Sequence, residues 1–352
     1  MIKGRGSQIN PGNRFEKITV DFNSQADEIY DDEFFPEKKI QTVFLKDESK
    51  SIIVKNNSRD VDFTTSLNPY RGCEHGCVYC YARPYHEYLG FSSGIDFESK
   101  IMVKENAADL LEQAFRKKSY QPDVIVLSGT TDCYQPVEKK LKITRKILEV
   151  CLKYRNPVSV ITKNALILRD LDILKKLAEI NLTSVTISIT SLNRELTGIL
   201  EPRTSRPELR LKTIEELSKN NIPVSVNLAP VIPGLNDEEI PAILKKAAEK
   251  GASGAGHIML RLPYANKDLF IDWLNKYYPA RADKILGRIK SVRKGKLNST
   301  EWGKRFTGEG EIADAINKLF YLSRDKYGLN KRHIPLTTEH FHREVSEQIS
   351  LF

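Results

Sequence analysis

No run in this chain approaches the roughly 18 uninterrupted apolar residues of a membrane-spanning helix, so no membrane span is expected. The opening Met1-Ile2-Lys3-Gly4-Arg5-Gly6 is basic with no apolar run behind it, which argues against a secretory signal and makes the cytoplasm the default address. Internal repeats and low-complexity tracts are missing, which leaves repeat arrays out of view. Cysteine is scarce: of five in 352 residues, three fall between Cys73 and Cys80, while Cys133 and Cys151 stand alone. That distribution is wrong for a secreted disulfide framework and right for a metal site in a reducing compartment.

What is present fits a soluble globular protein. A hydrophobic fraction of 40% supports a sizeable core, and 29% of the residues are charged. The length admits one large α/β barrel or two ordinary domains. A net charge of +9 permits a polyanionic partner such as nucleic acid without establishing one. The basic excess is densest over Arg281–Arg305, where Arg281, Lys284, Arg288, Lys290, Arg293, Lys294 and Lys296 punctuate a helix-like run. A solvated helix face explains that run equally well.

Residues 1–58 read as a polar N-terminal extension with Pro11-Gly12, an acidic stretch at Asp27–Glu33 and little regular structure. A core over residues 59–265 follows. Short β-branched runs at Val124–Leu127, Val158–Thr162, Ser184–Thr190, Val224–Leu228 and His257–Leu262 mark strands. Amphipathic stretches at Glu105–Lys118, Val137–Lys153, Leu168–Glu179, Pro207–Asn220 and Asp237–Lys250 alternate with them. Such alternation predicts parallel βα units with right-handed crossovers, curled into a barrel or laid out as a doubly wound sheet. Val124-Ile125-Val126-Leu127 suits a strand covered on both faces. Polar residues gather where the strands end, at Ser128-Gly129-Thr130-Thr131-Asp132, Lys163-Asn164 and Ser191-Leu192-Asn193. In barrels those ends build the active site. Residues 266–352 read as a mainly helical C-terminal extension, whose Glu301–Gly310 segment is a candidate cover for the barrel mouth.

The chemistry concentrates in Asn68-Pro69-Tyr70-Arg71-Gly72-Cys73-Glu74-His75-Gly76-Cys77-Val78-Tyr79-Cys80-Tyr81-Ala82-Arg83. C-x₃-C-x₂-C lets one loop offer several thiolates to an iron–sulfur cubane, and three ligands leave one iron free for a chelating small molecule. Gly72 and Gly76 allow the unusual backbone angles that a loop wrapped around an inorganic core requires. The competing reading is a structural zinc on the three cysteines with His75 or His86. No second C-x₂-C pair completes a zinc ribbon, however, and His75 lies inside the loop.

With Tyr79 just before its last cysteine, this motif resembles that of radical S-adenosylmethionine (SAM) enzymes. The wider similarity, from Phe63 to Leu262, is to the branch related to spore photoproduct lyase, often labelled DNA repair photolyase-like. The resemblance implies a partial (β/α)6 TIM-type barrel with N- and C-terminal extensions, its cysteine loop following the first strand. It implies a [4Fe–4S] cluster on Cys73, Cys77 and Cys80, with the amino and carboxylate groups of SAM on the open iron. One-electron reduction then yields methionine and a 5′-deoxyadenosyl radical that abstracts hydrogen from a substrate. An electron donor such as flavodoxin or ferredoxin is the implied partner.

Position by position, the resemblance places Tyr79 near the SAM adenine and Thr130 and Thr131 at the methionine moiety. It sets Lys163 at the SAM carboxylate, and Ser188 and Thr190 at the ribose or methionine. The segment Asn227–Asp237, with Val231 inside it, would pack on adenine, while Asn236 or Asp237 caps the next helix. Arg203, in Glu201-Pro202-Arg203-Thr204, would lie near SAM or make a surface ion pair. One departure bears on function. The lyase carries a cysteine hydrogen donor where this chain has Gly129, and Cys133, four residues later, is the remaining candidate. The leading expectation is therefore a radical SAM enzyme, with damaged or modified nucleic acid as one substrate class. Its rivals are a radical SAM enzyme acting on a protein, peptide or small metabolite, and a non-catalytic iron–sulfur redox or binding protein.

Overall fold

The computed structural model describes residues 4–15, 40–331 and 335–343, so the acidic stretch Asp27–Glu33 lies outside the described residues. Six parallel strands lie side by side in chain order: β1 (Thr65–Leu67), β2 (Ile125–Leu127), β3 (Val158–Thr162), β4 (Thr183–Ser188), β5 (Val224–Val231) and β6 (Gly254–Met259). Ile53–Lys55 adds an antiparallel strand outside β1. The two outer edges of this sheet do not pair among the described residues, so the structure is a partial barrel. Helices α1 (Ala107–Arg116), α2 (Ile143–Tyr154), α3 (Leu171–Glu179), α4 (Pro207–Lys219) and α5 (Ile240–Glu249) follow the first five strands. After two further helices, Asn266–Tyr277 and Ala282–Ser291, comes α6 (Glu311–Lys326), which packs on α5. Just beyond α6, Leu329 accepts a bond from Ala255 N of β6 at 3.0 Å.

Side-chain alternation explains how the strands sit. In β3 to β5 the apolar positions Val158, Val160, Val185, Ile187, Val224 and Val226 are buried in the main core. The intervening Ser159, Ser184, Thr186 and Asn227 are only half-buried, because alternate residues point to opposite faces of a strand. The inner face of the half-barrel is thus polar. By contrast, β2 is buried throughout, as its unbroken apolar run predicts.

Two expectations change. The helix expected from Val137 to Lys153 divides at Lys142, which takes a left-handed φ of 53°. There the buried Glu138 carboxylate accepts from Ile143 N at 3.0 Å and Thr144 N at 3.1 Å, capping α2. The extension expected to lack regular structure holds Val43–Lys46, which pairs in parallel with Lys100–Val103, and that strand takes Tyr70–Arg71 on its other side. This satellite sheet leads straight into the cysteine loop. The Glu301–Gly310 segment links the two ends of the open sheet. Phe306 O accepts from Met259 N at 2.7 Å, Gly303 N donates to Asp60 at 2.6 Å, and Arg305 pairs with Asp60.

Candidate active site at the strand ends

The cysteine loop is held in shape by the polypeptide alone. At Gly72 (φ 79°) a Cβ would lie 3.0 Å from the carbonyl oxygens of both Phe97 and Lys100, so only glycine fits. Cys73 N donates to Phe97 O at 2.9 Å. Buried Gln135 accepts from Glu74 N at 2.8 Å and donates to Gly72 O at 3.3 Å. Arg83, fully buried, donates to Cys77 O at 3.0 Å and Gly94 O at 2.9 Å and pairs with buried Glu98. The same carboxylate receives backbone N–H groups from Arg5 and Gly6 on Oε2, at 2.7 and 3.0 Å, and from Ser7 on Oε1 at 2.7 Å. Residues 4–15 therefore strap the loop from outside.

Cys73 and Cys77 are buried, Cys80 is half-buried, and none of them is in a disulfide. Burial pushes all three thiols up from their ordinary range. At Cys73, Asp132, Cys77 and Cys80 add to that effect, so the thiols share one electrostatic field. Such a cluster ionises when a cation compensates it, which suits it to metal binding coupled to proton release. Among the described residues no group of three or more Cys, His, Asp and Glu converges on a single ion. A tetrahedral zinc demands that convergence. A cubane does not, because each thiolate takes a different iron. Of the two histidines of the zinc reading, His75 has polar partners elsewhere, whereas both ring nitrogens of His86 are buried without a hydrogen-bond partner among the described residues. The His75 ring lies 3.5 Å from Asp132 and 3.3 Å from Asn164, and His86 packs against Phe91 and Phe97.

The strand ends meet beside these thiols. Asp132 accepts from Thr162 Oγ1 and from Lys163 N, each at 2.8 Å, and so ties the ends of β2 and β3 to His75. The Lys163 ammonium lies 5.9 Å from the Tyr79 ring centroid and makes no ion pair among the described residues. The Tyr79 hydroxyl donates to Glu201 and lies 3.4 Å from Thr190 Oγ1, which itself donates to Glu201 at 2.5 Å. Arg210, buried on α4, pairs with Glu201 and donates to Ser188 O at 3.0 Å. Burial pushes the Glu201 carboxyl up, but Arg210, Lys163 and the Thr190 and Tyr79 hydroxyls outweigh it and hold the group below its usual range. Tyr79 is pushed up by burial and by Cys77 and Glu201, so its phenol stays neutral.

The remaining expected residues divide. Thr130 is half-buried, with its N–H on Asn68 at 2.8 Å. The Thr131 hydroxyl turns inward to Tyr70 O at 2.7 Å, and Ser188 is buried at the end of β4. Val231 is buried in the main core. Arg203 pairs at 2.9 Å with Glu74, the buried neighbour of Cys73, so its ion pair is not confined to the surface. Asn236 stands at the N-cap of the short turn Asp237–Glu239 without a side-chain capping bond; it accepts from Ile232 N at 2.6 Å and donates to Thr190 O at 2.8 Å, fixing the end of β5. Cys133 does not join the group. It has no exposed surface, lies in the main core and has the Ser128 and Thr144 hydroxyls beside its thiol. Sequence reasoning missed Gln135 and Glu98, whose partners include residues far away in the chain, and Arg83 and Arg210, whose nearer partners leave no pattern that marks them as buried.

Comparisons with known proteins agree with this geometry. The family model described as Radical SAM superfamily matches residues 67–247, more than half of the chain and the whole cysteine motif. An uncharacterized protein of Mycobacterium tuberculosis is 33% identical over 225 residues, covering 63% of this chain and 66% of its own. Another, from Methanocaldococcus jannaschii, is 34% identical over 173 residues, 49% of this chain and 62% of that one. The chain thus spans just under two thirds of these relatives' length. Among solved structures, spore photoproduct lyase complexed with dinucleoside spore photoproduct shares the fold, with a TM-score of 0.56 and 15% identity over 81% of this chain and 79% of that one. The chain belongs to the radical SAM superfamily, which works with a [4Fe–4S] cluster and SAM.

Proposed function

We propose that this protein reductively cleaves SAM at a [4Fe–4S] cluster held by Cys73, Cys77 and Cys80, for hydrogen abstraction from a nucleic-acid substrate. The observation that carries the reading is the meeting, at the strand ends of a half-barrel, of three free thiols and a Lys163 ammonium that makes no ion pair among the described residues. When bound and reduced, the cluster supplies the electron that splits SAM into methionine and a 5′-deoxyadenosyl radical. Lys163 offers a point charge to the SAM carboxylate. The Thr130 hydroxyl serves the amino group, while Tyr79, locked by Glu201 and Thr190, gives adenine a fixed wall. Ser188 and Thr190 present polar groups on the same side, and Val231 backs the adenine side from the core. Buried Glu201 and Arg210 set the positions of these groups rather than touching SAM.

The nucleic-acid element is motivated by the net charge of +9 and by the fold shared with spore photoproduct lyase. Part of the basic run is committed internally: Lys294 and Lys304 pair with Glu301 and Glu309, and Arg293 is buried. Lys284, Arg288 and Lys290 make no ion pair among the described residues and remain for phosphates. With Gly129 at the lyase's donor position and Cys133 buried in the core, the reading stops at hydrogen abstraction. It does not extend to the lyase's own thiol chemistry. The electron is expected from a protein of the flavodoxin or ferredoxin class.

The test is anaerobic reconstitution followed by measurement of 5′-deoxyadenosine with and without UV-irradiated DNA. Stimulation by irradiated DNA is expected, and Lys163→Ala should weaken SAM binding about tenfold, or ~1.4 kcal/mol. Cleavage that ignores DNA and RNA, with no salt-dependent binding to either, would move the substrate to a protein, peptide or metabolite.

A further inference from the structure

Most exposed apolar side chains on this molecule are scattered, as on any soluble surface. One group is not. Phe15, Tyr81, Tyr85, Tyr88, Tyr264 and Trp302 are all aromatic, and their exposure runs from 43% to 67%. They form a band in two contact groups, which Arg261 brings within electrostatic range of each other. Phe15 stacks on Tyr88 at 4.7 Å between centroids, and Tyr88 faces Tyr85 at 6.5 Å. The Arg14 guanidinium covers Tyr264 at 3.6 Å and Phe15 at 5.1 Å. Arg261 lies in the field of Tyr81 and Tyr85 and over Phe306 at 5.2 Å. From Phe306 the band passes through Arg305 to Trp302, at 5.0 and 4.3 Å.

The position of this band matters as much as its composition. Tyr81 is the chain neighbour of Cys80, and its hydroxyl donates to Gly129 O at the end of β2 at 2.5 Å. The band therefore begins at the rim of the active site. Arg14 and Arg305 are neutralised by Glu87 and Asp60. Arg261 makes no ion pair among the described residues, and its Nε is buried with no hydrogen-bond partner. Its guanidinium charge is thus unpaired among the described residues, within electrostatic range of Tyr81 and Tyr85. Flat rings interleaved with guanidinium planes are the groups on which successive bases of a single strand stack, whatever their sequence. Bases paired inside a duplex cannot reach such rings without leaving the stack.

We propose that this band binds single-stranded nucleic acid by base stacking and feeds a base past Tyr81 to the site, an inference that rests on the nucleic-acid reading above. Aromatic and arginine side chains also dominate protein interfaces. The guanidinium charge of Arg261, unpaired among the described residues, and the net charge of +9 favour a polyanion instead.

The experiment is fluorescence anisotropy of a labelled oligothymidylate of about 12 nucleotides with the cluster-loaded full chain, without SAM. Binding should weaken as salt rises and exceed binding to a matched duplex. The double variant Tyr85→Ala/Tyr88→Ala should lose about 30-fold or more in affinity, as expected when two stacked bases are released. Tyr85→Phe/Tyr88→Phe should keep it, and Tyr321→Ala, an exposed ring on α6, should change nothing. Unchanged binding by the alanine variant, with circular dichroism showing both proteins folded, overturns the proposal. So does absence of binding together with self-association that the alanine variant abolishes, which would make the band a protein interface. If irradiated DNA stimulates SAM cleavage while the alanine variant binds like wild type, the nucleic-acid reading stands and the band alone is wrong.

Discussion

Arg210 and Glu201 are both buried, and a buried ion pair tolerates the loss of neither partner. Glu201→Gln would leave Arg210 desolvated and uncompensated, at about 3 kcal/mol near neutral pH. The pH dependence follows from the depressed carboxyl. A group held below its ordinary value of 4.5 contributes stability above that pH and loses it as pH falls through the lower folded value. Thermal melts of wild type and Glu201→Gln should therefore converge as pH drops below 4.5; a gap that stays constant would show that the pair's charge is not what stabilises the site. At this scale, legibility depended on where the partners lie. Lys163, Tyr79 and Thr190 come from strand ends and a compact motif, and they do meet. Arg210 could not be picked out, because within α4 it looks like any helix arginine. Its burial comes from Glu201, Thr204 and Ser205 in the preceding turn.

Among the elements, the long β-branched runs and amphipathic stretches of the core were readable, because burial on a sheet or one helix face leaves a period in the sequence. Elements of two or three residues, such as Tyr70–Arg71 and β1, leave no period to read. The strap of residues 4–15 was illegible for a different reason. It has no pattern of its own and takes its shape from Glu98 and the cysteine loop. A Cβ on Gly6 would lie 1.8 Å from Gly76 O. Gly6→Val should therefore cost about 1–3 kcal/mol through overpacking and speed the loss of cluster absorbance in air. A variant with wild-type melting temperature and wild-type bleaching rate would mean that the strap does not clamp the loop.

As a whole molecule, the protein is an incomplete barrel whose polar inner face opens beside three thiols. Glu301–Gly310 ties the end of β6 to the loop that precedes β1. The layout needs every level at once: glycines that let the loop turn, a buried arginine and glutamate that fix it, and strand ends that gather the polar groups. The most direct measurement is iron, acid-labile sulfide and reductant-dependent 5′-deoxyadenosine, made on anaerobically reconstituted wild type and on the triple variant Cys73→Ala/Cys77→Ala/Cys80→Ala. About four irons and four sulfides per chain, with SAM cleavage, are expected in the wild type, and neither in the variant. A wild-type protein that binds one zinc and no sulfide, or a triple variant that still cleaves SAM, would contradict that expectation.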